Sequence, residues 1–109
     1  MHPLELLAYF VGGAALANTI PHFVSGLMGR KFPSPFAKPP GQGQSSATTN
    51  VLWGFANLVL AYVLVCRVGR FDLQDLAHVA ALGLGMLLLG LGTAWRFGSL
   101  NDGRGPNLA

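Results

Sequence analysis

The chain has 109 residues, of which 51% are hydrophobic and only 10% are Asp, Glu, Lys or Arg, with a formal net charge of +3. Soluble domains carry about 25% charged residues, so a largely water-exposed surface is excluded, and the length leaves room for one domain, 1–109. The basic balance does not point to nucleic acid, because Lys and Arg flank apolar segments instead of clustering with aromatics.

Three stretches free of Asp, Glu, Lys and Arg run over 6–29, from about 49 to 66, and over 76–95. About 20 apolar residues cross a hydrocarbon core as a helix. The expected fold is therefore an all-α integral membrane protein with spans at about 4–28, 49–67 and 76–97. The first span contains Ala15-Leu16-Ala17, which has the form of a signal-peptidase site. Met1 to Glu5 holds no Lys or Arg and apolar sequence resumes after Asn18, so this span is expected to be retained. Pro21 removes a helical amide hydrogen and should kink the span, or break it near Thr19 so that a second short helix begins. Gly12, Gly13 and Ala17 offer a face that another backbone can approach closely.

The connection 29–48 carries Pro33, Pro35, Pro39 and Pro40, then Gly41 and Gly43. It is long for a compact domain, and Phe32 and Phe36 supply apolar anchors. An extended, ordered segment across the membrane face or the helix ends is expected. Hydroxyls at 45–46 or 48–49 are placed to cap the second span. That span ends near Cys66, the single cysteine, which excludes an intrachain disulfide. Arg67, Arg70, Asp72 and Asp75 follow, with Glu5 expected to pair with one of the arginines. The third span is the plainest, and Ala81, Gly85 and Gly92 repeat the small-residue packing device. A short tail, 98–109, completes the chain.

With three spans, Arg30, Lys31, Lys38, Arg96 and Arg104 fall on one side and Arg67 and Arg70 on the other. Positive residues favour the cytoplasm, so the N-terminus is expected outside and the C-terminus inside. Trp53 and Trp95 sit where interfacial anchors belong.

Polar side chains at membrane depth turn inward and pair. On helical spacing Asn18, His22 and Ser25 share a face of the first span, and Asn50 and Asn57 share one of the second. Thr93 and Arg96 reach the same level. Two readings stand: a hydrogen-bond network that fixes the helices, or a polar pocket roofed by the Pro-rich loop with His22 as acid, base or ligand. His2, His22 and His78 do not form a metal motif, and no cofactor is expected. Gly41-Gln42-Gly43 lacks the Gly-Lys-Ser/Thr of a phosphate loop.

The run Pro21-His22-Phe23, Gly26, Gly29, Phe32-Pro33-Ser34-Pro35-Phe36, Pro40-Gly41-Gln42-Gly43, Ser45-Ser46 and Asn50-Val51-Leu52-Trp53-Gly54 resembles a block found in small, uncharacterised bacterial multi-span membrane proteins. The resemblance implies a bacterial inner-membrane setting and brings no mechanism. The expected role is an interaction or oligomeric subunit whose partners are the bilayer and a second copy or another membrane protein. The alternatives are an oligomeric transporter or channel subunit with a polar path near His22, or a membrane enzyme on a lipid-like substrate. The enzyme is disfavoured because no paired carboxylate or nucleophile accompanies His22.

Overall fold

The computed structural model describes residues 2–102. Among them are three long helices and no strand: α1 over Pro3–Leu27, α2 over Ala47–Tyr62 and α3 over Leu76–Asp102. A π-helical turn, Val63–Arg67, continues α2 directly. Counted with that turn as Ala47–Arg67, α2 joins α1 and α3 in being long and apolar enough to cross a membrane. Residues 98–102 continue α3; the rest of the tail, with Arg104, lies outside the described residues.

Local chemistry sets the helix ends. Pro3 occupies the first turn of α1, where a missing amide hydrogen costs nothing. The His2 ring caps the helix by accepting the Leu4 amide hydrogen at 3.2 Å. Helix α1 runs through Pro21 without a break to Leu27, so no separate short helix begins there. It stops at Gly29, whose φ of 71° is a left-handed conformation suited to glycine. The Gly29 and Arg30 amides turn back onto the Gly26 and Ser25 carbonyls at 3.0 and 2.8 Å, a Schellman ending. Ser46 starts α2, accepting the Thr49 amide hydrogen at 3.1 Å, so one of the candidate hydroxyls is the cap.

The Pro-rich connection closes on itself instead of running extended. Phe32 and Ser45 exchange backbone hydrogen bonds at 3.2 and 3.0 Å, and the Gly41 amide donates to the Ser34 carbonyl at 2.9 Å. The Ser34 and Ser45 hydroxyls meet at 2.6 Å inside the resulting loop. Several backbone groups thus find partners within the segment itself.

The three helices form a layer with α1 in the middle. Helices α2 and α3 both pack on α1 and not on each other. Glycines permit these approaches. A methyl group at Gly54 would lie 2.7 Å from the Phe23 amide nitrogen, and one at Gly13 or Gly85 would collide with the Leu82 or Phe10 carbonyl. Helix α1 meets α2 through Gly12, Gly26 and Gly54, and meets α3 through Gly13 and Gly85. Ala17 and Ala81 are half-buried beside these crossings. Gly92 is exposed, and a methyl group there would meet no atom within 4 Å.

Candidate functional site

Asn50 organises the loop end of the layer. Its side chain has no exposed surface. The Nδ2 group donates to the carbonyls of Phe32, Ser45 and Ser46 at 3.0, 3.3 and 3.0 Å, two hydrogens shared among three acceptors. One residue of α2 therefore ties both ends of the closed loop. These donations fix the amide orientation and leave Oδ1 as acceptor. His22 Nδ1 lies 2.8 Å from that oxygen, so Nδ1 carries the proton. In the neutral ring Nε2 is then an acceptor. No described residue gives Nε2 a hydrogen bond.

A second link lies one turn toward the membrane interior. Asn18 Nδ2 donates to Asn57 Oδ1 at 3.2 Å, and Asn57 Nδ2 donates to the Trp53 carbonyl at 2.9 Å. Asn57 is satisfied at both ends. Asn18 keeps its carbonyl oxygen without a partner among the described residues.

Of the seven residues expected at this level, the structure joins four, Asn18, His22, Asn50 and Asn57. Ser25 is half-buried and takes part through its backbone carbonyl. The Thr93 hydroxyl donates to the Gly90 carbonyl of its own helix at 3.0 Å. Arg96 is half-buried and adds no hydrogen bond to this network among the described residues. The α3 residue that reaches the site is Phe97, whose ring meets Phe32 at a centroid distance of 4.8 Å.

Asn18 and His22 floor an open cleft of about 370 Å³, with Trp53 and Phe97 as walls and Pro33, Pro35 and Pro40 as roof. Trp53 faces inward: its ring stands 6.4 Å from His22 and 5.2 Å from Phe36, each at a steep angle. Its indole nitrogen is buried and has no hydrogen-bond partner. Trp95, by contrast, is 74% exposed. The indole donor is not legible in the sequence as part of the site, because a tryptophan near a span end reads first as a membrane-belt residue.

The far end of the layer holds a second polar cluster. Tyr9, with no exposed surface, packs edge-on against Phe71 at 5.1 Å and His78 at 4.9 Å. His78 Nδ1 accepts the Asp72 amide hydrogen at 3.1 Å and Nε2 faces Asp75 at 3.5 Å. Both ring nitrogens are engaged, and His78 pins the α2–α3 connection. Glu5 forms no ion pair with Arg67 or Arg70. The connection sets Gly69 against Glu5 and Tyr9, while both arginines are exposed. Among the described residues no group of three His, Cys, Asp or Glu side chains is arranged to hold a metal ion.

In comparisons with known proteins, no family model, curated protein or solved structure matches the chain.

Proposed function

We propose that this is a small multi-span membrane protein that works by association, as an oligomeric or partner-binding subunit, through the outer face of α3. The observation that carries the reading is a seam left uncovered by the layer. Ala80, Gly83, Leu87, Gly90 and Ala94 follow the alternating three-four spacing of helix pairing. Ala80, Gly83, Leu87 and Ala94 are exposed, and a methyl group at Gly83 or Gly90 would meet no atom within 4 Å. Small residues at such spacing let a second helix backbone come close, where packing and hydrogen bonding hold helices together in lipid. A transport path or a catalytic centre is less well supported, because Asn50 and Asn57 spend their hydrogen bonds within the protein.

The setting proposed is the bacterial inner membrane, with the N-terminus outside. Arg30, Lys31, Lys38 and Arg96 lie at the loop end and Arg67 and Arg70 at the other. Pro21 is proposed to bend α1, since the Ala17 carbonyl loses its helical donor there.

Energy transfer between labelled chains in vesicles, read against protein-to-lipid ratio, tests the association. The wild-type chain should exceed random proximity. Gly90→Leu should weaken it about tenfold, roughly 1.4 kcal/mol, without disturbing the monomer, since the added side chain enters open space. A chain that stays monomeric and yields no crosslink from a photoreactive group at position 87 in native membranes removes the reading.

A further inference from the structure

The cleft at the loop end is separate from the α3 seam, and its chemistry points elsewhere. Two residues on its lining carry a polar atom without a partner among the described residues: His22 an acceptor, Nε2, and Trp53 a buried donor, the indole N–H. His22 is only 4% exposed. Leaving the buried indole donor unpaired is costly. A hydroxyl group answers both at once, because its oxygen accepts from the indole while its hydrogen goes to the imidazole. The Asn18 carbonyl oxygen on the same floor is a further acceptor, suited to a second hydroxyl. We propose that this cleft binds the two-hydroxyl glycerol head group of a membrane lipid.

Three further observations favour a lipid over a water-soluble polyol. No charged side chain lines the cleft, and most of its lining residues are proline or aromatic. His22 lies five residues inside the end of α1, about 8 Å along the axis, near the level where head groups meet acyl chains. Finally, the backbones of α2 and α3 stay apart on either side of α1, so the floor continues along α1 between them. Seven and eleven residues before Asn18, on the same helical face, Val11 and Leu7 are 41% and 56% exposed. That strip is a track for an acyl chain. The volume of about 370 Å³ suits a glycerol unit with its first methylenes.

The glycerol diol occurs both in neutral monoacylglycerols and in phosphatidylglycerol, and the experiment separates the two. The full chain, labelled with ¹⁵N, is placed in phosphatidylcholine nanodiscs and titrated with monooleoylglycerol, phosphatidylglycerol or methyl oleate. The Trp53 indole resonance should shift saturably with one or both glycerol lipids and not with methyl oleate, while Trp95 serves as the internal control. A response to monooleoylglycerol alone assigns a neutral ligand, and a stronger response to phosphatidylglycerol assigns the anionic one. His22→Asn keeps a donor for Asn50 and deletes the Nε2 acceptor. It should weaken the response at least tenfold while the Asn50 side-chain resonances stay in place. A Trp53 signal that no lipid moves, or that methyl oleate moves equally, overturns the proposal and leaves a merely hydrated cleft. An unchanged response in the His22→Asn chain overturns it as well.

Discussion

Asn50 shows how much one polar side chain does when water is absent. It joins α1, the closed loop and α2, because its amide meets three backbone carbonyls and its oxygen meets His22. Asn50→Leu removes all of these and strands buried carbonyls, so unfolding in detergent should become easier by about 2–3 kcal/mol. Asn57→Ala deletes one interhelical hydrogen bond, to Asn18, and should cost only about 0.6 kcal/mol. Equal losses in the two variants would contradict the organising role of Asn50. The residue types are legible in the sequence, since any Asn or His in an apolar stretch has to find a partner. The pairing is not. Three of the Asn50 partners are backbone carbonyls, which look the same in every sequence, and His22 lies 28 positions away. Trp53 reads as a belt residue because its ring type carries two meanings at a span end, and only packing against His22 and Phe36 chooses between them.

Among the helices, glycine has two separate jobs. Gly13 and Gly85 sit where backbone meets backbone, whereas Gly83, Gly90 and Gly92 face open space. Gly85→Ala should therefore push α1 and α3 apart and lower the thermal unfolding temperature of the detergent-solubilised protein clearly. Gly92→Ala should leave it unchanged or raise it slightly, since alanine favours a helix by up to about 1 kcal/mol. If both substitutions destabilise alike, the packing of α3 on α1 is misplaced. Spacing alone marks Gly85 and Gly92 together as packing residues. It does not separate them, because a helix with small residues on several faces leaves the choice to its neighbours. The three spans are legible from charge-free length. Closure of the 29–48 segment stays hidden because it depends on Phe32 pairing with Ser45, a register that proline and glycine counts do not encode.

At the scale of the molecule, the middle helix is also the least apolar of the three and the first in the chain. Its two flanks are covered by segments that come later in the sequence. During synthesis, α1 would enter lipid with Asn18 and His22 still unpaired, and relief would come only when Asn57 and Asn50 follow. A chain stopped at residue 45 should be extracted from membranes by alkali, whereas one stopped at residue 74 should resist, having both halves of the network. Firm retention of the shorter chain would show that α1 needs no companion. In the complete chain with Cys66 replaced, a cysteine at position 2 should react with an impermeant reagent from outside and one in the Pro-rich loop should not, which reads the orientation directly.

The central place of α1 thus makes birth order part of the design. Of the three helices α1 is made first and finished last, because the polar partners of Asn18 and His22 come later in the chain. A premature stop would strand an unsatisfied histidine and asparagine in lipid, a chemical mark by which membrane proteases could distinguish an incomplete chain from a complete one.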